Sequence, residues 1–92
     1  MSEAFIISAV RTAVGLGKEK GALFPIEPVD LGAAVLQEVV KRAGVDPDRL
    51  DDVILGCVTP IGDQGANLAR MSSLQAGFPA HQYTRSRPGH IL

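Results

Sequence analysis

Cysteine is almost missing from this sequence: Cys57 stands alone, so no internal disulfide can form. One thiol in a small chain fits a reducing compartment. Tryptophan is absent and aromatics make up only 4% of the residues. No charge of one sign dominates. The net charge is −1 with both signs interspersed, which excludes the basic stripe of a nucleic-acid binder and the like-charge block of a membrane or polyanion partner. Long hydrophobic runs are also lacking. The longest, at residues 4–10, is too short to span a bilayer, and Met1-Ser2-Glu3 has no basic start of a signal peptide. Together these read as a soluble, cytoplasmic chain. Metal-ligand spacing is missing too: His81 and His90 lie nine residues apart in a polar tail, remote from Cys57, so no metal is expected.

What is present suffices for one small domain. A chain of 92 residues, 46% of them hydrophobic, can bury roughly two thirds of its unfolded surface. Ala4-Phe5-Ile6-Ile7-Ser8-Ala9-Val10 reads as a strand buried on both faces. A glycine-punctuated loop follows. Residues from about 28 to 43 read as a helix: Pro28 suits its first turn, and Leu31, Val35, Val39 and Ala43 recur every four positions, with Leu36 and Val40 widening the stripe. Gly44 is placed to end it in the left-handed conformation. Val53-Ile54-Leu55-Gly56-Cys57-Val58 reads as a second buried strand. Asn67 is a candidate N-cap for a short helix to about residue 76, with Met71 and Leu74 facing inward. The order is strand, helix, strand, helix. The first crossover is long enough to return the chain parallel to its first strand. Two strands buried on both faces demand a larger sheet than this chain supplies, so exposed edges and apolar faces should make it aggregation-prone when expressed alone.

Candidates for chemistry are few. Gly15-Leu16-Gly17-Lys18 follows a predicted strand, yet Thr12 and Glu19 stand where a phosphate loop needs glycine and a hydroxyl, and Lys20 stands where a dinucleotide fingerprint needs glycine. A structural turn is the better reading. Cys57 lies within an apolar strand, with no helix N-terminus or cationic neighbour to favour a thiolate, and reads as a small buried hydrophobe. Asp51 and Asp52 are adjacent and would point to opposite faces of a strand. Arg70 follows the N-cap by three residues. It is either a surface arginine or one that anchors the loop before it.

At this point five segments resemble one family, in the right order and at the right intervals. Ala9-Val10-Arg11-Thr12-Ala13-Val14-Gly15 resembles the opening strand and turn of thiolases. Pro28-Val29-Asp30-Leu31-Gly32, with Arg42-Ala43-Gly44-Val45-Asp46-Pro47, is similar to their first helix and its exit. Asp52-Val53-Ile54-Leu55-Gly56-Cys57-Val58 resembles their second strand. Gly65-Ala66-Asn67-Leu68-Ala69-Arg70 and Ala76-Gly77-Phe78-Pro79 resemble the loop and helix that follow. The likeness is nearest to the acetyl-CoA C-acyltransferase, or 3-ketoacyl-CoA thiolase, type. It implies an α/β chain that forms the first β-α-β-α unit of the layered α/β/α/β/α thiolase fold, left incomplete.

The resemblance further implies an acyltransferase of homo-oligomeric type that moves acyl groups between coenzyme A thioesters, by thiolysis or Claisen condensation, as in fatty acid metabolism. Coenzyme A thioesters are substrates of the intact enzyme rather than bound cofactors, and no cofactor site, nucleic-acid partner or membrane partner is expected. The family's nucleophile is a cysteine in a Cys-Gly-Ser segment after a third strand, at a helix N-terminus where the dipole favours the thiolate. Counting forward places it near Ile91. The stretch from His81 to Leu92 holds no cysteine and no apolar strand pattern. Residues 1–80 are thus read as the front of a thiolase N-terminal domain and 81–92 as an unmatched tail, from a shifted reading frame, a mis-assembled gene end, or genuine divergence. On this reading the chain is an N-terminal fragment without catalytic residues, inactive alone. The alternative is a non-enzymatic module that pairs with an intact thiolase-like subunit. Arg11, Gly65, Asn67 and Arg70 are the best-matched motif positions and are expected to shape structure rather than react. Acyl-chain length, reaction direction and oligomeric state depend on residues outside this sequence.

Overall fold

The first helix, α1 (Pro28–Ala43), forms where its periodicity predicts. Pro28 opens it, and the Glu27 carbonyl accepts from the N–H groups of Asp30 (3.0 Å) and Leu31 (3.1 Å). Asp30 lies in the first turn and Lys41 and Arg42 in the last, each complementing the helix dipole. The helix stops at Gly44, whose φ of 69° is left-handed. There the Gly44 N–H donates to Lys41 O (3.2 Å) and the Val45 N–H to Val40 O (3.3 Å), which satisfies carbonyls the helix itself leaves open. The Asp46 side chain accepts from the Asp48 N–H at 3.0 Å and turns the chain through a short 3-10 segment, Pro47–Arg49, into the first strand.

In the computed structural model, which describes residues 3–57, 67–81 and 83–88, that strand is β1 (Asp52–Cys57). It is followed by helix α2 (Leu68–Gln75) and strand β2 (Tyr83–Pro88). The two strands pair in parallel, from Asp52 opposite Tyr83 to Cys57 opposite Pro88, with α2 in the crossover. α2 closes as α1 does: Gly77 has φ 86°, its N–H donates to Leu74 O (3.1 Å), and the Phe78 N–H donates to Ser73 O (3.0 Å). Among the described residues no helix is long and apolar enough to cross a membrane.

The core gathers Val53 from β1, Ala69 from α2 and Phe78 from the exit of α2, with Leu36, Val40, Leu50, Leu55 and Ala76 packed around them. β1 alternates in burial. Val53 and Cys57 are buried and Leu55 is half-buried, whereas Ile54, on the opposite face, is 57% exposed. The helices thus cover one face of β1, where the sequence pattern predicts burial of both.

Three further expectations are corrected. Residues 4–10 are not a strand: they belong to no ladder, and Phe5, Ile6 and Ile7 are 77%, 91% and 73% exposed. Apolar β-branched character favours a strand only when a partner's ladder and a covering layer are available. Here Phe5, Ile6 and Ile7 line an open hollow of about 300 Å³ with Val39, Val40, Ala43, Val45 and Leu50. Conversely, residues 83–88, which show no apolar strand pattern, do form a strand. Backbone pairing with β1 carries it, and its proline is the last residue, where a missing N–H does least harm to a ladder. Finally, Met71 and Leu74 do not face inward. They are 44% and 43% exposed, and Ala69, Ser72 and Ser73 are buried instead.

The reason for that last rotation is the spacing of the helices. A Cβ placed on Gly32 would lie 2.4 Å from Ser72 Oγ and 3.0 Å from Ser72 Cβ, so α1 touches α2 through backbone and small side chains. Large residues cannot enter that seam. Two outcomes are expected. Gly32→Ala should destabilise the chain by about 1–3 kcal/mol through overpacking, read as a lowered denaturant midpoint; an unchanged midpoint would mean the helices are not in this contact. Replacing Ile54 by Thr should reduce concentration-dependent light scattering of the purified chain, if the uncovered sheet face drives its association.

Candidate functional site

The motif residues divide by what they touch. Asn67 caps α2 as expected: its Oδ1 accepts from the Arg70 N–H at 3.2 Å, and the backbone at Asn67 is left-handed, with φ 50°, a conformation asparagine tolerates better than most residues. Arg70 is not a loose surface arginine, and the loop before it, which it could also anchor, lies outside the described residues. Its Nη1 donates to Ala80 O at 2.7 Å, reaching forward to the segment that leads into β2. Gln37, which the sequence reading did not single out, acts beside it: its Nε2 crosses from α1 to donate to Ala76 O at 3.1 Å. Nothing in local sequence marks this contact, because its partners lie 39 residues apart. Gly65 and His90 lie outside the described residues.

Arg11 is exposed. With Ala9, Val10, Thr12, Ala13 and Arg42 it lines an open hollow of about 640 Å³. Arg42 is committed to Glu38 one helical turn away, Nε to Oε1 at 2.7 Å. That hydrogen bond holds the Glu38 carboxyl below its ordinary value of 4.5. The Thr12 hydroxyl donates to Ala13 O at 3.1 Å. The hollow therefore presents two arginines, one of them held in an ion pair, and a hydroxyl turned to backbone. Among the described residues it brings together no nucleophile and base.

Cys57 ends β1 and is 3% exposed, enclosed on the helix-covered side of the sheet. That is the setting of a packing residue, since a reactive thiol needs access. A second, apolar hollow of about 280 Å³ lies between α1, β1 and α2, lined by Leu31, Gly32, Val35, Leu55 and Leu68 among others. Among the described residues Thr12 is the one polar side chain in its lining, too little to orient a reacting ligand. Gly15, Gly17 and Lys18 are exposed in a bend. The Gly21 N–H closes that bend on Lys18 O at 2.7 Å, and α1 does not begin until Pro28, so no helix N-terminus meets the glycines as phosphate binding requires. His81 is exposed. Among the described residues no three His, Cys, Asp or Glu side chains gather to hold a metal ion.

The described residues thus define a βα unit of a layered α/β protein in which Asn67 and Arg70 shape connections. The comparisons agree and go further. The family described as "Thiolase, N-terminal domain" matches residues 4–86, and the chain belongs to the thiolase family. It is 54% identical over 79 residues to a steroid 3-ketoacyl-CoA thiolase of Mycobacterium tuberculosis, covering 86% of this chain and 19% of that protein. It is 48% identical over 79 residues to a 3-ketoacyl-CoA thiolase of Bacillus subtilis, covering 86% and 20%. Among solved structures, an acetyl-CoA acetyltransferase of Bacillus anthracis superposes with a TM-score of 0.67 at 43% identity, over 80% of this chain and 18% of that one. The chain spans about a fifth of the length of these relatives.

The Glu38–Arg42 pair gives a pH expectation. A carboxyl whose pKa is lowered on folding contributes stability above its unfolded value, and that contribution fades as pH falls through the folded value. The helical signal of α1 should therefore weaken on acidification below about pH 4.5, and Glu38→Gln should remove that part of the dependence. Because both partners are largely exposed the effect is small. An unchanged acid limb in Glu38→Gln would show that the pair contributes nothing.

Proposed function

We propose that these 92 residues supply the opening scaffold of a thiolase-type acyltransferase that acts on coenzyme A thioesters, and that they hold none of its reacting groups. The single observation that carries this reading is the state of the only cysteine: Cys57 is sealed in the core at the end of a strand. Relatives named as 3-ketoacyl-CoA thiolases and as an acetyl-CoA acetyltransferase support acyl transfer as the activity of the complete enzyme. On this reading the nucleophile and the groups that stabilise the oxyanion come from sequence beyond this unit. The acyl-CoA is substrate, no bound cofactor is needed, and the complete enzyme is a cytoplasmic homo-oligomer. The exposed apolar residues Phe5, Ile6, Ile7 and Ile54 favour a second reading, in which the unit pairs with an intact thiolase-like subunit.

The test is thiolysis of a short 3-ketoacyl-CoA, followed by loss of its absorbance. The 92-residue chain should show no turnover above buffer. Residues 1–80 placed in the Bacillus subtilis relative in exchange for its matching segment should restore turnover. Turnover by the chain alone that disappears in Cys57→Ala would overturn the scaffold reading, and an inactive exchange protein would remove the thiolase-type assignment.

A further inference from the structure

β2 poses a problem of placement. Its sequence, Tyr83-Thr84-Arg85-Ser86-Arg87-Pro88, contains no aliphatic residue, so the sequence offers no alternating apolar pattern, the usual determinant of strand register. Yet β2 pairs with β1 along all six residues in a single parallel register. A parallel strand cannot borrow its register from a tight hairpin turn, because it arrives through a crossover. The information must therefore lie in the connection that delivers it.

That connection is fastened at three levels. Its backbone is set by Gly77 at φ 86° and by the two hydrogen bonds that close α2. Phe78 is driven into the core beside Val53 and Ala69. Two side chains from different helices then take its carbonyls: Gln37 of α1 binds Ala76 O at 3.1 Å, and Arg70 of α2 binds Ala80 O at 2.7 Å. The arginine bond is short and charge-assisted, the stronger kind. It holds the chain three residues before the first paired position of β2.

We propose that Arg70, assisted by Gln37, is a positioning residue that fixes where β2 enters the sheet and so sets its register against β1. The proposal rests on the geometry of this chain and goes beyond the acyltransfer reading, whose own assay is independent of it. If that reading also holds, the same two side chains locate whatever follows β2.

Backbone amide exchange on the 92-residue chain tests this, comparing residues 83–88 with the interior of α1. Arg70→Ala should speed exchange in β2 by about tenfold or more, as loss of a hydrogen bond from a charged donor implies, and leave α1 nearly unchanged. Arg70→Lys should recover part of the protection, because an ammonium can still donate to Ala80 O. Gln37→Ala should give a smaller change in the same direction, about two- to fivefold, as a neutral bond implies. The proposal is overturned if β2 in Arg70→Ala exchanges as in the parent, if α1 and β2 speed up together, if Lys restores nothing, or if the parent chain has no slow amides in β2, since the two side chains would then hold nothing.

Discussion

The contact between Gly32 and Ser72 governs the unit. With no Cβ on Gly32, the two helices approach until Ser72 Oγ occupies the space that a side chain would claim. Small residues then fill the seam: Ala33 on α1 and Ala69, Ser72 and Ser73 on α2 are all buried. The Ser73 hydroxyl satisfies itself within its own helix, donating to Ala69 O at 2.7 Å. Close packing brings the end of α2 within reach of Gln37 and presents Phe78 to Val53. Had the helices stood a side chain further apart, neither contact would form, and the covered face of β1 would lose its lid.

Legibility in the sequence followed the range of the forces involved. Helix α1, its glycine stop, the Asn67 cap and the second strand were all visible, because each is written within a few neighbouring residues. The strand expected at residues 4–10 was misjudged because hydrophobicity reports a wish for burial, and only the rest of the sheet can grant it. β2 was missed for the converse reason: parallel backbone pairing asks little of its side chains. On α2 the larger residues Met71 and Leu74 suggest the inward face, whereas the seam selects for smallness and buries Ala69, Ser72 and Ser73. For the candidate site, the burial of Cys57 in an apolar strand is legible, although it ends that strand rather than sitting mid-strand, whereas the forward reach of Arg70 and the crossing of Gln37 are not, being contacts between elements.

Membership of the thiolase family gives these departures a common sense. The unit spans about a fifth of its relatives and leaves several apolar side chains outside its core. Among the described residues the exposed large apolar side chains lie on the outer face of β1 at Ile54, on the outward side of α2 at Met71 and Leu74, along residues 5–7, and in the loop before α1 at Val14, Leu16, Phe24 and Ile26. None is needed by the core that Val53, Ala69 and Phe78 build among themselves.

The matching exits of the two helices bear on the order of assembly. At Gly44 and at Gly77 the backbone itself closes the last turn, using donors no more than five residues from their acceptors. Each helix therefore carries its own terminus and needs no tertiary partner to know where to stop. Local closures of this kind form on a sub-microsecond to microsecond scale, ahead of the long-range pairing of strands. As the chain leaves the ribosome, α1 can be complete before β1 has been synthesised, and α2 before β2, so that the parallel ladder is laid down last, against a helix pair already cut to length.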